Sequence, residues 1–361
     1  MTYFRSQFSQ QAADESKKST SNSQRQLARN GRLASMEAEP TPYDVIYTEN
    51  MVRLRQYESN AAEKQEIPVV FAYAFINTPA ILDLSQKRSV IRQFLERGFD
   101  VYVVDWGRPS NLDRHLSLGD YVCRYFDNCV DAARKQSEAE TVHTIGASTG
   151  APLAAMYTAL NPENVETLGL QVPSLNFDTE TGLMRIRELI TSVDPEKLVE
   201  TFGKMPSELL DLGFLLRKPA NYTIGKPIEI LENIENETYH EQNLRIARWV
   251  ADSPDMAGET YRQFVEELLK ANKLFENRLS LLGTQVELGN IDMPVVLILG
   301  EDDQFVPRNA SVPFLDVVPS EDTAVFEFPT GHVGTFVDQE IHENWWPDVC
   351  EWFTDRTPTE W

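Results

Sequence analysis

Five consecutive residues, Gly146-Ala147-Ser148-Thr149-Gly150, constrain this chain more than any other stretch. They follow the apolar run at residues 142–145 with no spacer and lead into a helical run at residues 153–160. A G-x-S-x-G between strand and helix is the nucleophile-elbow pattern. Its glycines are steric requirements, because side chains two places before and after the serine would collide in so sharp a turn. The helix that begins there aims backbone N–H groups at any oxyanion formed on an attacked carbonyl.

Around this turn the chain alternates strand and helix. Apolar runs at residues 67–75, 101–105, 142–145, 167–172, 295–299 and 324–328 are rich in Val, Ile and Phe, as strands buried on both faces of a parallel sheet are. Between the first two, Val90, Ile91, Phe94 and Leu95 recur at helical spacing and Gly98 supplies a stop. The alternation predicts an α/β fold with a mostly parallel sheet. Val45-Ile46-Tyr47 and Val52-Arg53-Leu54 flank a turn-prone Glu49-Asn50 and read as a hairpin. The interval 174–290 breaks the alternation. It shows no convincing buried strand, but Tyr261, Phe264, Val265, Leu268 and Leu269 follow a helical period, and Thr238 and Glu241 are spaced as a capping box. This interval reads as an inserted helical cap, with residues 41–173 and 291–361 forming the core. Residues 1–40 are polar, with no sustained apolar period, and read as a mobile tail.

Composition narrows the partners. The chain has 361 residues and is 42% hydrophobic, enough for one substantial core. Its 56 acidic and 33 basic residues give a formal net charge of -23, which repels phosphate backbones and argues against a nucleic-acid partner. With arginine outnumbering lysine, the balance suits a protein kept soluble in concentrated salt. No apolar stretch approaches the roughly 18 to 20 residues that span a bilayer, and the polar N-terminal stretch lacks a signal-peptide core, so a cytoplasmic protein without a transmembrane segment is expected. Cys123, Cys129 and Cys350 are odd in number, lack metal-ligand spacing and read as reduced, mostly buried thiols.

An elbow serine needs a base and an orienting acid, and both follow in the expected chain order. The run at 295–300 ends in Glu301-Asp302-Asp303-Gln304-Phe305-Val306-Pro307, which puts two aspartates at a strand's carboxyl end. Pro329-Thr330-Gly331-His332 places a histidine just past the final strand. A histidine there can take the serine proton while a carboxylate on its other nitrogen fixes the tautomer. Either Asp302 or Asp303 would serve, and either could merely cap a turn. His115, His143, His240 and His342 read as structural or surface residues, and Trp345, Trp346 and Trp352 as helix packing.

Several blocks carry a resemblance. Ile76-Asn77-Thr78-Pro79-Ala80-Ile81-Leu82-Asp83-Leu84 resembles the I-N-x-P-x-I-L-D-L block of the polyhydroxyalkanoate synthases. Val104-Asp105-Trp106-Gly107 with Leu112-Asp113, the stretch from Tyr121 to Asp131, Glu301 to Pro307, and Pro329 to Gly334 extend it over residues 41–355. The ensemble resembles the class III catalytic subunit of the salt-loving archaeal branch. The resemblance implies an α/β-hydrolase fold with a cap, acting as an acyltransferase on 3-hydroxyacyl-coenzyme A, with no metal and no cofactor beyond that substrate. It implies Ser148 as nucleophile, His332 as base, and Asp303 rather than Asp302 as acid, from the D-x-x-V-P segment. The backbone N–H of Thr149 and one near Ile76 would form the oxyanion hole. The implied partners are a second class III subunit and the polymer granule, with a homo-oligomer left open.

One departure stands out against that family, whose elbow reads G-x-C-x-G-G. Here the nucleophile position is Ser148 and Ala151 replaces the last glycine. A thiolate exchanges readily with thioesters, whereas a serine must lose its proton during attack. Three readings follow: a synthase-type acyltransferase, weakened or active; a serine esterase or thioesterase on the same scaffold; and a non-catalytic paralogue that binds the partner subunit or granule.

Overall fold

Eight strands form one sheet in the computed structural model, which describes residues 41–179, 193–210 and 237–358, the side chains of 237–241 excepted. They are β1 (Asp44–Glu49), β2 (Val52–Tyr57), β3 (Val69–Ala72), β4 (Val101–Asp105), β5 (Val142–Ala147), β6 (Val165–Gln171), β7 (Val295–Gly300) and β8 (Thr323–Phe328). Their spatial order is β1-β2-β4-β3-β5-β6-β7-β8. β1 and β2 form the expected hairpin around Asn50, whose φ of 52° suits the turn. β2 pairs antiparallel with β4, and every pairing from β4 to β8 is parallel.

The inner parallel strands, β3 to β7, are buried at nearly every position because both faces are covered, whereas the edge strand β8 is not. In β3, Val69 and Phe71 enter one core cluster and Val70 and Ala72 the other; in β4, Val101 and Val103 oppose Tyr102 and Val104 in the same way. Helices supply the two layers. α1 (Val90–Leu95) starts at Ser89, whose hydroxyl accepts the Arg92 N–H, and Gly98 follows it at φ 91°. α2 (Asp127–Ser137) continues a π-helical turn at Tyr121–Phe126. α3 (Gly150–Leu160) buries ten of its residues, including Leu153, Met156 and Tyr157. Each such large apolar side chain contributes about 1.5–3 kcal/mol through burial.

Between β6 and β7 lie α4 (Pro195–Phe202), α5 (Glu237–Ala251) and α6 (Gly258–Gln263), the last running into a π-helical segment at Phe264–Lys270. Two short antiparallel ladders also occur there, Lys204–Met205 with Met256–Ala257 and Ser280–Leu281 with Thr284–Gln285, where no strand was expected. Pairs of two residues are too short to leave an alternation in the sequence. Thr238 lies inside α5 rather than at its cap. The expected cap interval falls partly outside the described residues, at 180–192 and 211–236, and the expected N-terminal tail at 1–40 falls wholly outside them. α7 (Trp346–Thr354) closes the second layer with Trp346 and Phe353 buried, so the tryptophans serve packing as read.

Candidate active site

Ser148 follows β5 directly, at the sheet's carboxyl edge. Its φ is 54°, a left-handed conformation that costs a non-glycine residue about 1–3 kcal/mol. Two hydrogen bonds hold it: the Ser148 N–H donates to the Gln171 carbonyl at 2.9 Å, and the Ser148 carbonyl accepts the Ala151 N–H at 3.0 Å. The elbow glycines are as constrained as their spacing implies. A Cβ on Gly146 would lie 2.6 Å from both Ala151 Cα and Ala154 Cβ, and one on Gly150 would run into the carbonyl oxygens of Ala72 and Tyr73.

Asp303 sits on the turn after β7. Its Oδ1 accepts the N–H groups of Phe305 at 2.7 Å and Val306 at 2.9 Å, and its Oδ2 lies 2.6 Å from His332 Nδ1. These three donors hold the buried carboxylate in one orientation. Asp302, its neighbour, is exposed and its backbone N–H donates to the Thr330 carbonyl, so of the two aspartates it is Asp303 whose side chain meets the imidazole.

His332, on the loop after β8, completes the line: its Nε2 is 3.1 Å from Ser148 Oγ. With Nδ1–H donating to Asp303, the Nε2 lone pair faces the hydroxyl; the tautomer is assigned from these partners. Phe305 packs edge-on against the imidazole at 5.5 Å, and Phe336 flanks it at 6.5 Å. The structure therefore brings Ser148, His332 and Asp303 together, in an arrangement able to move a proton from the serine hydroxyl to the imidazole and on to a leaving group.

Thr149 lies at the start of α3, and Ile76 lies half-buried on the loop that follows β3. β3 is the neighbour of β5, with Ala72 opposite Gly146, so this loop begins beside the elbow. α5 and the turn after it grip the same loop: Trp249 Nε1 donates to the Thr78 carbonyl at 2.9 Å and Ser253 Oγ to Asn77 Oδ1 at 2.5 Å.

The other polar residues considered from sequence lie elsewhere. His143 is buried within β5, with Nδ1 and Nε2 each 2.9 Å from a threonine hydroxyl, those of Thr167 and Thr357. His342 is buried on the Phe336 carbonyl and His115 is exposed. All three cysteines are free. Burial pushes the half-buried Cys123 thiol up to about 11 and the Cys129 thiol higher still, so neither offers a thiolate near neutral pH. Among the described residues, no group of three His, Cys, Asp or Glu is placed to hold a metal ion, and no helix is long and apolar enough to cross a membrane.

Sequence reasoning missed a polar pair behind the histidine. Gln171, at the end of β6, donates from Nε2 to Thr335 Oγ1 at 3.1 Å, and that hydroxyl donates to the His332 carbonyl at 2.9 Å. The available signal was a lone amide side chain closing the strand directly after Leu168, Gly169 and Leu170.

Fold and site together define an α/β hydrolase, and the alpha/beta hydrolase fold family matches residues 67–338. Among sequence relatives, the poly(3-hydroxyalkanoate) polymerase subunits PhaC of Haloferax mediterranei and Haloarcula marismortui are 45% and 43% identical, over 88% and 90% of this chain; the PhaC of Allochromatium vinosum is 33% identical over 88% of it. The chain belongs to the poly(3-hydroxyalkanoate) polymerase PhaC family. It spans 65% of the Haloferax relative's length, 70% of the Haloarcula relative's and 89% of the Allochromatium relative's. Among solved structures, a soluble variant of monoglyceride lipase from Saccharomyces cerevisiae aligns with a TM-score of 0.60 at 11% identity, over 90% of this chain and 98% of that one. At that identity the likeness is one of fold.

Proposed function

We propose that this chain is a polymerase-type acyltransferase for 3-hydroxyacyl-coenzyme A, with Ser148 as nucleophile, His332 as general base and acid, and Asp303 as the carboxylate that orients the imidazole. The observation that carries the reading is the Ser148–His332–Asp303 line, at 3.1 and 2.6 Å, in a chain of the PhaC family. As Ser148 Oγ attacks the thioester carbonyl, its proton passes to His332 Nε2; the C–S bond then breaks, and coenzyme A leaves as the thiol with that proton. The acyl group remains as an oxyester on Ser148. The hydroxyl of a second hydroxyacyl group gives its proton to Nε2, attacks the ester carbonyl and lengthens the chain, and the returning proton frees Ser148. Backbone N–H groups of Thr149 and Ile76 would stabilise the oxyanion in both steps. The interval 174–290 would act as the cap that keeps water from the acyl-enzyme. A second synthase subunit and the surface of a cytoplasmic polymer granule are the partners this reading entails; the chain would act without metal or further cofactor.

Coenzyme A release and insoluble polymer, measured separately with 3-hydroxybutyryl-coenzyme A at high salt, test the reading. Ser148→Ala is expected to lower release by at least about 100-fold, as loss of a nucleophile does. Ser148→Cys is expected to raise polymer yield above wild type, because a thioester intermediate is the better acyl donor. Release without polymer by both wild type and Ser148→Cys would favour a thioesterase. Wild-type rates in Ser148→Ala would remove the enzymatic reading and leave a binding paralogue.

A further inference from the structure

We infer that Gln171 is a positioning residue that fixes the separation between the nucleophile loop and the histidine loop, an inference that rests on the roles of Ser148 and His332 proposed above. Gln171 touches both loops. Its main chain ends β6, opposite Ala147 on one side and Ile298 on the other, and its carbonyl accepts the Ser148 N–H at 2.9 Å. Its side chain reaches the other way, through Thr335 Oγ1 at 3.1 Å to the His332 carbonyl at 2.9 Å. The single hydroxyl proton of Thr335 goes to that carbonyl, so the hydroxyl must accept from Gln171 Nε2, and the chain of donors has one direction.

Packing alone does not account for an amide in this place. Gln171 and Thr335 are both 0% exposed, and Gln171 Oε1 has no hydrogen-bond partner among the described residues. A buried acceptor without a partner is destabilising, a penalty that Leu or Met would avoid. Leu168 and Leu170 of the same strand are core residues of that kind. What the amide supplies and an apolar side chain does not is the bond to Thr335. The elbow and the histidine are 184 residues apart in sequence, and Gln171 links them by one residue's main chain and side chain. A shift of about 1 Å between nucleophile and base can cost on the order of 100-fold in rate, so such a link bears directly on turnover.

The test uses the full chain and four variants: Gln171→Met, Thr335→Val, their double combination, and Thr335→Ser. Initial rates of coenzyme A release from 3-hydroxybutyryl-coenzyme A give kcat and KM; the rate of Ser148 labelling by a fluorophosphonate reads nucleophile reactivity without turnover. Gln171→Met and Thr335→Val should each lower kcat and the labelling rate by about 10- to 100-fold with KM changed less than about twofold, the pattern of an interaction that matters in the transition state. The double variant should be no slower than the slower single one, because both break one link, and Thr335→Ser should restore kcat to within about threefold of wild type. A folded Gln171→Met with wild-type kcat, or losses that multiply in the double variant, would overturn the inference. Should Gln171→Met fail to fold, the comparison of Thr335→Val with Thr335→Ser decides, and equal kcat in those two overturns it. Ser148→Ala run alongside separates the two levels: if it is inactive while Gln171→Met is normal, only the positioning role falls; if it is fully active, the nucleophile and the positioning role fall together.

Discussion

Asp303 uses both carboxylate oxygens, one on the backbone of its own turn and one on the imidazole. Asp303→Asn would keep the size and the acceptor that meets Phe305 and Val306, but its amide would present N–H groups to Nδ1 and favour the wrong tautomer. A fall in kcat on the order of 10³–10⁴ is expected, as for an orienting carboxylate in a triad. Asp302→Asn, at an exposed side chain, should stay within about twofold, as surface changes usually do. Steady-state kinetics on both variants check this, and equal losses would contradict the assignment. The residue pattern could not separate the two aspartates, because neighbours on a turn share composition but not direction; the family resemblance favoured Asp303. Ser148 and His332 were legible because the elbow and the glycine-flanked histidine follow a chain order tied to strand ends. Gln171 was illegible, since its partner Thr335 lies 164 residues away and no local pattern announces the contact.

At the scale of elements, β5 and α3 meet where neither can give way. The backbone at Gly146 abuts Ala151 and Ala154, and α3 is buried along nearly its whole length. Gly146→Ala should destabilise the fold by about 1–3 kcal/mol, the usual cost of overpacking. Gly289→Ala, where an added Cβ meets nothing within 4 Å, should stay within about 0.5 kcal/mol. Urea unfolding midpoints compare the two, and equal shifts would show that the elbow crossing has slack. The parallel strands could be read from sequence because burial on both faces leaves unbroken apolar runs. Val101–Asp105 matches its run end to end, whereas β3 occupies only Val69–Ala72 of the longer run at 67–75. That apolar run outlasts the pairing: Tyr73, Ala74 and Phe75 remain buried although they lie beyond the strand. The two-residue ladders were invisible, because long-range contacts alone create them.

For the molecule as a whole, two buried histidines set a limit on acid stability. Burial pushes His143 down to about 3 and His342 to about 4, so both stay neutral in the folded state while the unfolded chain takes up protons below about 6.5. The unfolded state then binds more protons, and stability falls as pH falls from about 6.5 toward 4, by up to about 1.4 kcal/mol per pH unit for each histidine. Denaturant unfolding at pH 6 and pH 5 should show this slope, and His342→Asn should reduce it; a slope unchanged in that variant would mean His342 titrates normally. The -23 charge and the Haloferax and Haloarcula relatives agree with a protein suited to high salt, where screening eases self-repulsion. The hydrogen bond between His143 and Thr357 spans 214 residues and ends inside the strand that presents Ser148. Contacts of such long range are made late, because loop entropy must be lost before they form. On the ribosome, a nascent chain would carry the serine long before it carried the histidine, and longer still before that strand met Thr357. A nascent chain that has not yet reached residue 332 thus carries Ser148 without the imidazole beside it, and the two side chains meet only once their 184-residue separation has been bridged.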